Sequence, residues 1–506
     1  MNFGISADWF WEHLPALQII VPLMAAPICA IFPRGGVAWS IAFAAALAAF
    51  AMSLGLAVQV YDGTIISYHL GGWAPPWGIE YRIDIVNAFV LVIISGISAV
   101  VMPYARTSVA AEISPELHGL FYTALLLCLT GLLGLVITGD AFNVFVFLEI
   151  SSLSTYALVA MGAERDKRAL TAAFNYLVMG TVGATFFVIG IGFLYMVTGT
   201  LNMADLAQKI AAVGDSRTLR VGFVFIVVGI GLKLAIFPLH LWLPNAYNFA
   251  PSAVTAFLAS TATKAAVYVL LRFMFTVFGF EYSLQVTALE TVIMPLAIIA
   301  MFAASIVAIF QEDIKRMLAY SSVAQIGYML LGLSLLNHTG LMASIIHLFN
   351  HAVTKGALFM VMGCFALRLG STSINSLKGI GRQMPWTMAA FVVGGLSLIG
   401  VPLTAGFISK WYLIQAALEA DLWPVAAAIV LSSLLAVIYV WRVIETAYLQ
   451  PAPKSSRVAG APVSMLIPTW ILAGASIYFG VSAELTAGAA GRAANVLLNI
   501  SKVYGG

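Results

Sequence analysis

Five charged side chains stand inside otherwise apolar stretches: Glu149, Lys233, Lys264, Lys355 and Lys410. A charge at mid-bilayer costs at least about 2.5–3.5 kcal/mol unless it is paired, hydrated or neutralised. Four lysines cannot all be balanced by one glutamate, so plain structural ion pairs do not account for the set. Glu149 lies in AFNVFVFLEISSLSTYALVA, between Leu148 and Ile150, and needs a cation; Lys233, in GIGLKLAIFPLHLWLPNA, is the natural partner. A movable ammonium beside a buried carboxylate could switch its protonation, whereas a permanent pair would only fix packing. His347, His351 and Lys355 recur at i, i+4 and i+8 in IIHLFNHAVTKGALFM. That spacing puts them on one helical face, each about 6 Å from the next. Histidine titrates near neutrality and water can bridge such gaps, so the pattern is that of a proton relay. The plainer reading is a pair of packing histidines. Metal binding lacks a third ligand, and Lys355 would oppose a cation, so no metal is expected. Lys264, in ASTATKAAVYVL, follows small residues that leave room for water or for close helix approach.

Two of these lysines lie beside prolines. Pro238 and His240 follow Lys233, with Pro244 beyond, and Pro402 and Gly406 precede Lys410 in SLIGVPLTAGFISKWYLI. A proline inside a spanning helix removes a backbone hydrogen bond and kinks or breaks the helix. Either kink alone could serve packing. A pair of them, each beside a lysine, is the pattern of ion sites built at discontinuous helices in two repeats. His240 is a further polar candidate near the first break.

The elements that position these residues follow from composition. The chain has 506 residues, of which 9% are charged and 62% hydrophobic, and its mean hydropathy is +1.00. So few charges cannot clothe a water-soluble enzyme, and so much apolar mass excludes disorder. The net charge of +3 gives no case for a nucleic-acid partner. Cys29, Cys128 and Cys364 are far apart, with no CxxC, so neither a cluster nor a disulfide framework is indicated. No cofactor is expected. Asp8 and Glu12 precede the first apolar run without a basic stretch, so no cleavable signal is expected.

The remaining class is an all-α polytopic membrane protein in a lipid bilayer. Fourteen apolar stretches are long enough to cross: 15–33, 37–60, 84–104, 119–138, 141–161, 170–198, 219–242, 252–276, 286–310, 315–336, 340–368, 386–418, 423–448 and 464–484. They run without alternation, which favours helices over barrel strands. The polar stretches 61–83, 199–218 and 449–462 read as loops. Thirteen basic residues fall on one face, among them Arg34, Arg106, Arg165, Lys167, Arg168, Lys454 and Arg457. Seven fall on the other, among them Arg82, Arg272, Arg492 and Lys502. The positive-inside rule then puts both termini outside, on the periplasmic side of a bacterial inner membrane.

At these residues the sequence resembles the antiporter-like membrane subunits shared by Mrp-type multisubunit cation/proton antiporters and the proton-pumping arm of respiratory complex I. The segments that carry the resemblance are FLEISSLSTYALVA, KLAIFPLHLWLPNAYNFAPSAVTAFLASTATKAAVYVL, FQEDIKRMLAYSSVAQIGYM and IIHLFNHAVTKGALF, between residues 147 and 359. It implies fourteen helices with two inverted five-helix repeats, here 119–276 and 286–448, after N-terminal helices in 1–118 and before a last helix and tail in 449–506. Spans seven and twelve are the family's broken helices. By resemblance Glu149, Lys233, Lys264 and Lys410 are the ionisable residues of spans five, seven, eight and twelve. Glu149 precedes Lys233 by about as many residues as Gln325 precedes Lys410, so Gln325 would stand for Glu149 in the second repeat. Some members carry glutamate in span twelve; lysine there is like the D-type chain of Mrp antiporters and the N-type chain of complex I. The stretch YHLGGWAPPWGIEYRIDIVNAF, residues 68–89, also resembles the Mrp D-type chain.

The resemblance implies a proton-translocating D-type subunit of a monovalent-cation (Na+)/proton antiporter, working among other membrane subunits. Protons would pass along Glu149, Lys233, Lys264, the His347/His351/Lys355 face and Lys410. The competing reading is the same channel in a complex-I-like NADH:quinone oxidoreductase or membrane-bound hydrogenase, with the redox chemistry in other chains.

Overall fold

The computed structural model describes residues 7–32, 35–280, 282–283, 289–452 and 458–498. Both chain ends, Arg34, Lys454, Arg457 and Lys502, and the expected span limits at 33 and 286 lie outside the described residues. The helices in chain order are α1 (Ala7–Ile31), α2 (Gly35–Val60), α3 (Ile85–Glu112), α4 (His118–Ile137), α5 (Ala141–Ala160), α6 (Arg168–Thr198), α7 (Met203–Val213), α8 (Arg217–Leu234), α9 (Trp242–Phe249) and α10 (Ser252–Leu271). They continue with α11 (Met294–Ile309), α12 (Ile314–Ser334), α13 (His338–Leu369), α14 (Pro385–Ile399), α15 (Ala405–Glu419), α16 (Trp423–Tyr448), α17 (Val463–Val481) and α18 (Glu484–Leu498). Among the described residues, twelve helices are long and apolar enough to cross a membrane. The other two expected spans are each split in two, α8 with α9 and α14 with α15, as the prolines require. The protein is thus a multi-pass membrane protein.

Two stretches read as loops are structured. Residues 61–83 hold a two-stranded antiparallel sheet, β1 (Ile66–His69) with β2 (Glu80–Ile83), in the register Ile66↔Ile83. Gly139 N donates to Glu80 O at 2.8 Å, which fastens the hairpin to the α4–α5 turn. Residues 199–218 hold α7, whose first turn is capped by the Asn202 side chain. Neither element is apolar enough to signal itself by hydropathy; one is set by tertiary pairing, the other by its cap.

Internal symmetry is visible in the turns. Asp140 caps α5 by accepting from Asn143 N at 2.7 Å, and Asp313 caps α12 by accepting from Arg316 N at 3.1 Å. Asp140 bridges to Asn202 and Asp313 to Ser373, both antiparallel. Ala141 N donates to Leu201 O at 2.8 Å, and Ile314 N to Thr372 O at 2.9 Å. An odd number of passes separates the two turns, so they stand on opposite faces and the repeat is inverted. Counted from the two caps, the partner of Glu149 is Ser322, and Gln325 matches Ser152. The proposed equivalence of Gln325 with Glu149 is therefore off by three residues, because it counts from two lysines that stand on opposite sides of their breaks.

The repeats meet where α10 packs on α13. Nearly all of both helices is buried, and no lipid-facing stripe remains on α10. At its far end Arg272, read from sequence as a span-end charge, is buried in a π-helical turn. Its guanidinium pairs with Asp84, and its Nε donates to Tyr268 Oη at 2.9 Å. Asp84 also caps α3, accepting from Val86 N at 2.9 Å and Asn87 N at 3.2 Å. One carboxylate thus holds a helix start and a buried cation. Asp84→Ala should cost about 3–5 kcal/mol, because it leaves the guanidinium unpaired in an apolar site. Asp84→Asn keeps the cap and should fall between. Thermal unfolding of the detergent-solubilised protein reads the order; equal losses for the two variants would assign the whole effect to the lost charge, and no loss in Asp84→Asn would assign it to the cap.

Candidate functional site

Lys233 occupies the last turn of α8, where Ala235 ends the helix in the left-handed conformation at φ 61°. Its ammonium donates to Ser152 Oγ at 2.5 Å and to Tyr156 Oη at 3.1 Å, both on α5. It does not close on Glu149. Glu149 Oε1 is buried without a hydrogen-bond partner, and the carboxylate acts on Lys233 only through space. The expected ion pair is thus open, because Ser152 and Tyr156, three and seven residues beyond Glu149 on the same face, reach the lysine first. Tyr156 is held by an edge contact with Tyr176, which stacks on Trp242 at 4.0 Å. Trp242 Nε1 in turn donates at 2.9 Å to Leu232 O, a carbonyl freed by the break. A cavity of about 40 Å³ reaches from Lys233, Ser152 and Thr155 to Ala262 and Ala266 of α10. That is room for a few waters.

The middle of the site lies between α10 and α13. Lys264 is fully buried, and its ammonium donates to Ala259 O and, at 3.3 Å, to Thr263 Oγ1. Lys355 is also fully buried and donates to Leu318 O at 2.7 Å and to Ser321 Oγ on α12. His351 has both ring nitrogens buried without a partner, and Lys264 and Lys355 are near enough for their charges to act on it. The His347 and His351 rings lie parallel with centroids 6.2 Å apart. His347 Nδ1 shares a hydrogen bond with Ser409 Oγ at 2.8 Å, and its Nε2 has no partner. The helical face read from the sequence is thus present. Among the described residues no three His, Cys, Asp or Glu side chains gather as a metal site.

Ser409 leads to Lys410, on α15 just past the second break. Gly400 ends α14 at φ 91°, a conformation that admits glycine, and Gly406 N in the first turn of α15 donates to Ser397 Oγ at 3.2 Å. The Lys410 ammonium reaches back across the break to Leu398 O at 3.0 Å and Ile399 O at 2.9 Å. It also donates to Ser433 Oγ at 3.0 Å and stands 4.6 Å from the Tyr328 ring centre. Pro402 lies within this break and Pro238 within the first. His240 is buried near the first break with Nδ1 unpartnered, but it faces Tyr320 of α12 rather than Lys233. Gln325 is buried on α12.

None of the four lysines forms an ion pair among the described residues. Each ammonium is held by neutral oxygens instead. In a dry interior such a cation is weakly held, so it can surrender a proton to a neighbour. Sequence reasoning missed the side chains that hold these ammoniums, Ser152, Tyr156, Ser321 and Ser433, and Ser409, which holds His347. Only Ser152 and Tyr156 left a trace, as the hydroxyl stripe after Glu149.

Residues 138–436 match the family described as NADH:quinone oxidoreductase/Mrp antiporter, TM. The chain belongs to this family. Within the NADH:quinone oxidoreductase/Mrp antiporter family it is 41% identical over 488 residues to the N-type chain of the NADH-quinone oxidoreductase of Desulforudis audaxviator, covering 93% of this chain and 96% of that protein. It is 29% identical to the D-type chain of the Na(+)/H(+) antiporter of Alkalihalophilus pseudofirmus, covering 94% of each. Its fold superimposes on a chain of the Mrp complex from Dietzia sp. DQ12-45-1b with a TM-score of 0.88 and 25% identity, covering 98% of this chain and 99% of that one. The family resemblance read from the segments between 147 and 359 is therefore correct, and family members carry both names, D-type antiporter chain and N-type oxidoreductase chain.

The site also depends on α6. A Cβ built on Gly180 would overlap Tyr156 Oη and lie 3.1 Å from Lys233 Nζ. Gly180→Ala should push the tyrosine off the lysine while leaving the helix intact. Proton flux in vesicles should fall about tenfold or more, a rise of about 1.4 kcal/mol in the barrier, at unchanged membrane levels. Unchanged flux would show that the Lys233–Tyr156 contact is dispensable.

Proposed function

We propose that this chain translocates protons as the D-type subunit of a multisubunit monovalent-cation (Na+)/proton antiporter in a bacterial inner membrane. The observation that carries the reading is the line of four buried ammoniums on neutral oxygens, joined by two histidines with unpartnered ring nitrogens. Protons move from Lys233 across the water-sized cavity to Lys264, then over His351 and His347 to Lys410. Glu149 sets the first hop: closing on Lys233 holds its proton, and the open geometry releases it. Lys410, seated on the freed carbonyls of the second break, holds the last proton before release. Other membrane subunits of the assembly handle the exchanged cation, and both termini face the periplasm. The hairpin region 68–89 supports the D type, and the lysine at 410 fits the D and the N type alike.

The 41% identity to an N-type oxidoreductase chain favours a second reading, in which redox chemistry in other chains drives the same path. Inverted vesicles carrying the whole assembly separate the two. Proton movement on adding Na+ supports the antiporter. Movement only on adding an electron donor and a quinone supports the oxidoreductase.

Lys410 tests the path itself. Lys410→Ala should abolish proton flux, and Lys410→Arg should be nearly as poor, because a guanidinium does not deprotonate in proteins. Lys410→Glu should retain part of the flux, since a carboxyl also carries a proton. Wild-type flux from Lys410→Arg at matched expression would reduce Lys410 to a fixed charge.

Glu149→Gln should insert normally and translocate about 10²-fold more slowly, the scale of one lost proton-transfer group. Glu149→Asp should keep part of the rate. Full activity of Glu149→Gln would remove the carboxylate from the first hop.

A further inference from the structure

The face that carries Arg165 and Arg168 has a cavity of about 280 Å³ at the ends of α3, α9, α10 and α13. Neither repeat encloses it alone. Its charges balance: Glu112, Asp166 and Asp313 stand against Arg165, Arg168 and Lys315. Glu112 is 9% exposed and accepts from Ser252 N at 2.9 Å and Ser108 Oγ at 2.9 Å, with Arg165 at 3.5 Å. Lys315 donates to Ala250 O at 2.8 Å. Ser252, only 1% exposed, lines the cavity with its hydroxyl unpartnered, and Asn248 Oδ1 beside it is also unpartnered. Buried acceptors without donors, in a charge-balanced chamber of this size, are the lining of a water-filled port rather than of a site that captures one ion.

A polar seam leads inward from this chamber. On α3, Glu112, Ser108 and Tyr104 repeat at four-residue spacing, and the buried Tyr104 Oη donates to Met360 O of α13 at 3.0 Å. On α10, Ser260 and Lys264 stand one turn apart, and Ser252 lies nearer the chamber, about 18 Å from Lys264 along the axis. Lys264 turns its ammonium back to Ala259 O, toward the chamber. We propose that this chamber is the proton entry port of the basic face, with Glu112 its first acceptor and the α3–α10–α13 seam its route to Lys264. A hydronium ion entering the chamber gives its proton to the Glu112 carboxylate and is left as water. The carboxyl then releases it through waters held along the seam hydroxyls to the neutral amine of Lys264, and Glu112 is again a carboxylate. The inference rests on the proposed proton translocation, and it places a proton-carrying residue on α3, outside both repeats.

The test uses the whole assembly in vesicles, with Ser252→Cys and a charged, membrane-impermeant methanethiosulfonate. The wild type is the labelling control, since Cys29, Cys128 and Cys364 are all buried. The reagent added on the basic face should modify Ser252→Cys and lower proton flux about tenfold or more, as loss of a proton-transfer route does. It should do nothing from the opposite face. Glu112→Gln should lower flux to a similar degree, and Glu112→Asp should restore much of it. Absence of labelling, or labelling without loss of flux, overturns the port even if Glu112→Gln fails to insert. A wild type that moves no protons would instead sink the proposed function.

Discussion

The structure depends on how four ammonium groups are kept inside an apolar body without counter-charges. A fixed carboxylate beside each lysine would be the cheapest electrostatic answer, and it would lock the proton in place. The fold uses backbone carbonyls and hydroxyls instead: Leu398 and Ile399 for Lys410, Leu318 and Ser321 for Lys355, Ala259 and Thr263 for Lys264, Ser152 and Tyr156 for Lys233. Neutral oxygens stabilise the charged form enough for it to exist and too little for it to be permanent.

That constraint explains the broken helices. A carbonyl inside an unbroken helix already accepts from its own ladder and offers a side chain only a second, shared bond. Ending α14 at Gly400 releases carbonyls at the depth where Lys410 turns back to meet them. The first break works differently. Its freed Leu232 carbonyl is taken by Trp242, which braces Tyr176 and through it Tyr156. The two inverted halves therefore hold their lysines by different means, Lys233 before its break and Lys410 after.

The pairing of α10 with α13 joins the halves. Both helices are buried almost throughout, so their polar residues face protein and not lipid. α10 carries Lys264 and α13 carries His347, His351 and Lys355 one turn apart, and the charge of Lys264 reaches His351 across the joint. Among the described residues the buried lysines and histidines of the two repeats come together at this joint, and the small residues on α10 allow the close packing.

The sequence alone determined the membrane class, the positions of nearly all the passes, the two interruptions and the identity of the buried charges. Each of these is local: hydropathy over about 20 residues, a proline in a span, a lysine in an apolar run, histidines at helical spacing. Tertiary structure alone decided which groups meet. Lys233 bonds to residues on α5, Lys355 to α12, Arg272 to Asp84 at the start of α3, and the chamber beside Glu112 is walled by the ends of several separate helices. Serines and threonines fill membrane helices for many reasons, most of them bonding the carbonyl four residues back, so nothing local marks Ser321 or Ser433 as a partner for a lysine. The open Glu149–Lys233 geometry is of the same kind: the sequence supplied a carboxylate and a cation, and the packing of Tyr156 against Tyr176 decided that they do not touch.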